Sequence, residues 1–257
     1  MAELVLDHVT HAFGGLKAVD DVCLTIQPGE LFGLIGPNGA GKTTVFNLIT
    51  GVYSASQGAI RLGDRNLVGE PPYRIAGAGI ARTFQTSRLF KSMSVFDNLR
   101  TAFHPDTHPS LLDSILRTRN AARAEGQIRE QAMVLLAEFK LEQVAERRAG
   151  ELAYGEQRRL EIARALATAP KVLLLDEPAA GLNHTESATL MALIQWIRDR
   201  YGLTLLLIEH DMRVVMGVCE RIAVLDYGRL IATGAPAEIR CDPRVIEAYL
   251  GEEVPRP

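Results

Sequence analysis

The chain has 257 residues, of which 47% are hydrophobic and 23% charged, and its formal net charge is −3. That length buries a sizeable core, as one large domain or two small ones, and the composition is that of an ordinary globular protein. The slight acidity excludes nucleic-acid binding by bulk positive charge. Cys23, Cys219 and Cys241, an odd number without C-x-x-C spacing, fit free thiols in a reducing compartment.

No apolar run approaches the roughly 18 residues that span a bilayer. The opening Met1–Asp7 carries acids where a secretory leader carries its basic region, so a cytoplasmic location is expected. Residues 3–9 and 19–27 alternate in hydropathy and read as strands, with His11–Gly15 as a turn carrying an aromatic between them. They form the start of a small antiparallel sheet beside the core. The apolar run Leu31–Ile35 reads as a buried strand, and Thr44–Thr50 as a helix ended by Gly51. Further strands are expected at 58–62 and 80–84, the second ending at Gln85. From about 88 to 160 the texture turns helical. The prolines in His104–Pro109 forbid the helix that would pair His104 with His108 at a metal. Residues 119–140 read as an amphipathic helix with Ile128, Ala132, Leu135, Leu136 and Phe139 on one stripe. Strands follow at 171–177 and 204–210, and a helix spans 183–200 with Trp196 expected in the core. A hairpin covers 221–233, and a short helix with a Pro-rich tail closes the chain. There is no internal repeat.

The stretch around which the rest is arranged is Gly36, Pro37, Asn38, Gly39, Ala40, Gly41, Lys42 and Thr43, followed by Thr44. It matches the phosphate-binding loop G-x-x-x-x-G-K-[ST], and it lies between a strand and a helix, the context that gives the motif its mechanism. The glycines let successive N–H groups turn toward phosphate oxygens, and the helix N-terminus adds partial positive charge. Lys42 is placed to bridge β- and γ-phosphates, Thr43 to hold Mg²⁺, and Thr44 to support the α-phosphate side. The chain therefore binds ATP or another nucleoside triphosphate. The apolar strand before Asp176 and Glu177 fits a second phosphate-site element, with Asp176 holding Mg²⁺ through water and Glu177 orienting the attacking water.

Residues Leu152–Leu166 (LAYGEQRRLEIARAL) resemble the signature segment of ABC ATPases, and the resemblance extends over essentially the whole chain. It implies an α/β fold: a P-loop NTPase (RecA-like) core with an N-terminal antiparallel β subdomain and an inserted α-helical subdomain. The expected division is a core of 1–87 and 165–235, a helical signature subdomain of 88–164, and a C-terminal helix and tail of 236–257. The resemblance implies that Phe13 stacks on adenine, although by itself it reads equally as a core or turn residue. Gln85 corresponds to the glutamine that reaches Mg²⁺ and the attacking water, Glu177 to the catalytic glutamate and His210 to the switch histidine. Ala153, Tyr154, Gly155 and Glu156 would face the γ-phosphate of an opposite subunit, and Asn183 stands where the family usually carries Asp. Two chains would then sandwich two ATP molecules.

The signature departs from consensus, with Ala153 in place of Ser and Tyr154 in place of Gly. The missing hydroxyl removes about 1.5–3 kcal/mol of charge-assisted phosphate bonding, so unequal ATP sites are expected if the partner is a different ATPase.

Several stretches, among them FGGL at 13–16, RTFQ at 82–85 and YLGE at 249–252, are similar to the larger ATPase subunit of bacterial branched-chain amino acid importers. That resemblance implies a second ATPase, two transmembrane permeases and, indirectly, a periplasmic binding protein, with the chain peripheral on the cytoplasmic face of the inner membrane. Thr86–Phe90 would dock a permease helix, or Leu89 and Phe90 are helical core. Relatives serving urea, amides or other amino acids, and a homodimeric ATPase exporting lipopolysaccharide, share the architecture. DNA-repair and translation-factor types lack support, since there is no DNA-binding insert and no tandem ATPase domain.

Overall fold

A computed structural model describes residues 2–103 and 119–250. The expected loop at His104–Pro109 and the Pro-rich tail lie outside these residues. The chain divides into two compact units, one comprising Met1–Gln85 with Pro170–Pro257, the other Thr86–Ala169.

In the first unit, β1 (Leu4–Phe13), β2 (Leu16–Ile26), β4 (Gln57–Leu62) and β5 (Arg65–Asn66) form an antiparallel sheet ordered β2-β1-β4-β5. Leu4, Leu6, Val22, Leu24 and Ile26 point into the core while their neighbours face out, as period-two alternation requires. The expected turn at His11–Gly15 is shorter than the sequence implies. His11, Ala12 and Phe13 stay paired with β2, and only Gly14 and Gly15 form the bend.

The second sheet joins β3 (Leu31–Ile35), β6 (Ile80–Arg82), β7 (Val172–Asp176), β8 (Thr204–Ile208), β9 (Arg221–Asp226) and β10 (Arg229–Gly234) in the order β10-β9-β3-β8-β7-β6. All neighbours pair in parallel except the β9–β10 hairpin. Every residue of β3, β7 and β8 is buried, which explains why these strands are unbroken apolar runs. Helices α1 (Lys42–Ile49), α2 (Pro72–Ala78), α6 (His184–Tyr201), α7 (Met212–Val218), α8 (Pro236–Cys241) and α9 (Pro243–Leu250) complete the unit. The C-terminal segment is thus two short helices, not one. Trp196 corrects a sequence expectation: on α6 it is 42% exposed, because Leu190, Ile194 and Ile197 already supply that helix's buried stripe.

The second unit is helical, with α3 (Val95–Arg100), α4 (Arg119–Glu138) and α5 (Tyr154–Leu166). Ala132, Leu135, Leu136 and Phe139 are buried as expected, whereas Ile128 is only half-buried. Ser94 caps α3 by accepting the Asp97 N–H at 2.9 Å. Asn98, fully buried, holds the preceding loop by bonding both the N–H and the carbonyl of Phe90.

Candidate functional site

Four neighbouring parallel strands, β3, β8, β7 and β6, end at the same edge of the sheet, and each delivers one part of the candidate site. The phosphate loop follows β3, Glu209 and His210 follow β8, Asp176 closes β7 with Glu177 after it, and Gln85 lies three residues beyond β6. The carboxyl edge of a parallel sheet is where α/β folds bind ligands, because loops and helix N-termini converge there.

In the loop, Gly36 has φ +148°, and a Cβ there would lie 2.1 Å from the Leu225 carbonyl oxygen. Only glycine fits this cradle, which is shaped by backbone and therefore suits phosphate. Gly41 caps α1 in a left-handed conformation, and no acid in the first turn offsets that helix's positive end. Lys42 is buried and donates to the carbonyls of Gly36 and Pro37 at 2.5 and 2.8 Å, so its ammonium is folded over the loop. Pro37 and Ala40 are buried, Thr44 is half-buried, and Asn38, Gly39 and Thr43 are exposed.

Asp176 is bound by a residue that the motifs do not reveal. Arg82 donates to its Oδ2 at 2.7 Å and to Asn47 Oδ1 at 2.7 Å, with both side chains of the ion pair under a tenth exposed. The guanidinium lies over the rings of Phe46 and Phe84, 5.4 and 4.9 Å from their centroids. An arginine in the strand expected at 80–84 was the signal, since a buried charge requires a partner. Arg82 takes only one carboxylate oxygen of Asp176. The other oxygen, the Thr43 hydroxyl and the Gln85 amide are hard oxygen donors of the kind Mg²⁺ takes, so the residues fit that cation.

Glu177 has a left-handed backbone, φ +47°, although Pro178 follows it, and such strain in a non-glycine residue is kept where the surroundings dictate it. Its Oε2 accepts from Gln85 Nε2 at 2.8 Å, and His210 Nδ1 lies 3.7 Å from the same oxygen. Gln85, Glu177 and His210 therefore meet at one atom. Glu209, 1% exposed, accepts the Ala179 N–H at 2.8 Å, and burial pushes its carboxyl up from the ordinary range. The sequence assigns Glu209 no role beyond the strand expected at 204–210.

Phe13, half-exposed at the end of β1, packs edge-on against Tyr53 and His11, which stack on each other. Asn183 caps α6 by accepting the Glu186 N–H at 2.9 Å, and Glu186 accepts the Asn183 N–H in return.

In the second unit, Ala153 occupies the cap position of α5 and offers no acceptor, while Glu156 accepts its N–H at 3.1 Å. Half a capping box remains. Ala153 and Tyr154 are exposed and Gly155 is half-buried. The Tyr154 hydroxyl accepts from Arg158 at 2.6 Å, Arg158 pairs with Glu161, and Glu161 accepts the Arg88 N–H at 3.0 Å. Tyr154, the departure from glycine, thus begins a buried polar chain reaching segment 86–90. Within that segment the two apolar residues divide, with Leu89 buried and Phe90 51% exposed.

The ABC transporter family model matches residues 19–180, and a C-terminal model described as branched-chain amino acid ATP-binding cassette transporter matches 229–255. The chain is similar to the high-affinity branched-chain amino acid transport ATP-binding protein LivG of Escherichia coli K12, at 49% identity over 93% of this chain and 94% of that protein. It is also similar to the lipopolysaccharide export ATP-binding protein LptB of the same organism, at 38% identity over 98% and 99%. Among solved structures, the ADP conformation of the cassette MJ1267 superposes with a TM-score of 0.84 at 32% identity, covering 98% of this chain and 99% of that one. A dimeric cassette, MJ0796 bound to ADP and phosphate, gives 0.73 at 26%, covering 91% and 98%.

Proposed function

The chain belongs to the ATP-hydrolysing ABC transporter family, and on that premise we propose that it powers uptake of branched-chain amino acids, with Glu177 activating the water that attacks ATP. The observation that carries the mechanism is the convergence of Gln85 and His210 on Glu177 Oε2. A carboxylate fixed on two sides can hold a water in line and take its proton as the bond to phosphorus forms. Lys42, released from the loop carbonyls, moves onto the β- and γ-phosphates, while the loop N–H groups and the α1 N-terminus hold the remaining phosphate charge. Thr43 and Asp176 would hold Mg²⁺, which supplies charge neutralisation on the phosphates. Arg82 keeps the Asp176 carboxylate oriented. Phe13 and Tyr53 offer the ring surface for adenine.

The start of α5, Ala153 to Glu156, with Ala153 and Tyr154 exposed, is suited to meet the γ-phosphate of a second ATPase subunit, which would make the working unit a dimer. Phe90 is suited to meet a permease from the cytoplasmic face of the inner membrane, and a periplasmic binding protein would deliver the cargo. No helix among the described residues is long and apolar enough to cross a membrane; in this reading the permeases supply the path. The match over 229–255 and the higher identity to LivG favour uptake over lipopolysaccharide export.

In the assembled complex, Glu177→Gln should lower kcat by about 10²–10⁴-fold while ATP still binds, since the amide keeps the shape but cannot take the proton. Near-native turnover would remove Glu177 from the role. Co-purification from native membranes tests the cargo reading: two permeases with a second, different ATPase support it, and a second copy of this chain with export partners refutes it.

A further inference from the structure

β1 and β2 carry two opposed bulges, followed by a third register shift between His11 and Ala12. The register passes from Leu6↔Leu24 to Val9↔Val22, leaving Asp7 and His8 opposite Cys23, and then to His11↔Val19, leaving Thr10 opposite Asp20 and Asp21. An extra residue in a strand turns a side chain out of alternation. Here His8 and Asp21, with φ of +50° and +57°, both take the left-handed conformation, and Val9 and Val22 return to the core. A neighbouring strand admits the first bulge, because a Cβ at Gly58 would lie 2.3 Å from the His8 carbonyl oxygen.

The result is a mixed donor set on the outer side of the sheet. Asp7, His8 and Cys23 each offer a ligand atom within 4.8 Å of the others. The Cys23 sulfur already accepts the His8 N–H at 3.3 Å, and Asp21 Oδ1 lies 2.7 Å from His8 Nδ1. An outer carboxylate holding an imidazole is the arrangement that orients metal-bound histidines. Zinc–ligand bonds of about 2.0–2.3 Å place tetrahedral ligands about 3.3–3.8 Å apart, so closure requires about an ångström of side-chain movement. His8 and Cys23 are exposed and Asp7 is half-exposed, which leaves room for it. One group opposes closure: Arg61 donates to Asp7 Oδ2 at 2.5 Å and competes for that carboxylate.

We propose that Asp7, His8 and Cys23, with Asp21 as the orienting carboxylate, form a binding site for a thiophilic divalent cation such as Zn²⁺ on the β1–β2 arm. Sulfur, nitrogen and oxygen together select zinc over Mg²⁺, so the site is chemically separate from the nucleotide edge. A cation there would clamp the two bulges of the arm that carries Phe13 at its tip.

Cobalt titration of the reduced, nucleotide-free full chain tests this, with Zn²⁺ displacing the probe. The native protein should develop a thiolate-to-cobalt absorption band that Cys23→Ser abolishes and Cys241→Ser retains. Affinity should fall tenfold or more in His8→Ala and about tenfold in Asp21→Ala, and rise several-fold in Arg61→Gln. ATP binding should be unchanged in all of them, which verifies that the variants fold. A native protein without the band, or a band surviving Cys23→Ser, overturns the site.

Discussion

Arg82 is the residue whose removal should be most informative, because it couples the strand before Gln85 to Asp176. Both partners are under a tenth exposed, so neither charge can turn to water if the other is lost. Arg82→Ala leaves a buried carboxylate unpaired and strips Asn47 of its donor, and the structure predicts a loss of about 3–5 kcal/mol. For a unit of this size that is a fall in Tm of roughly 6–20 °C. Arg82→Lys retains the charge but cannot span Asp176 and Asn47 with one fork, and should lose less. The assay is urea unfolding followed by circular dichroism, with a double-mutant cycle that adds Asp176→Asn. Removing both charges should cost less than the sum of the single losses, because the Arg82→Ala cost is mainly the orphaned carboxylate. A loss below about 1 kcal/mol for Arg82→Ala, or simple additivity in the cycle, would refute the reasoning.

Three further outcomes follow from particular contacts. Ala153→Ser should restore the forward half of the α5 cap, adding about 0.5–2 kcal/mol of stability, and should raise ATPase in the assembled complex; a gain in stability alone would separate the cap from the phosphate site, and no gain in either would refute both roles. Burial raises the Glu209 carboxyl above its unfolded value of 4.5, so the folded state keeps that proton to higher pH and the group's contribution to stability falls as pH rises through that interval. Urea unfolding from about pH 4 to about pH 8 should therefore move in favour of Glu209→Gln as pH rises, and parallel curves would contradict it. Burial also pushes the Cys219 thiol up to about 12, which leaves a thiolate fraction of about 10⁻⁴ at pH 8. Cys23 and Cys241, both exposed, should react quickly with a thiol reagent and Cys219 only after unfolding; three fast thiols would refute the burial argument.

What the sequence determined by itself is whatever lies in one contiguous stretch. The phosphate loop could be read with its strand and helix because all three are local, and glycine at 36 carries a backbone requirement within the motif. The fully buried β3, β7 and β8 were legible as strands because parallel central strands are apolar on both faces. Tertiary structure decided the rest, where identity at one position depends on a neighbour far along the chain. Arg82 finds Asp176 only when β6 pairs with β7, and Glu177 meets Gln85 and His210 only because three loops leave one sheet edge. Trp196 is exposed because other residues fill the buried stripe of α6, which no propensity records. Leu89 and Phe90, equivalent by composition, separate because Asn98 fixes the backbone between the buried and open sides. Asp7, Asp21 and Cys23 read as ordinary outward positions and His8 as an inward one until two bulges bring them together, since a bulge is a property of paired strands and not of either one alone.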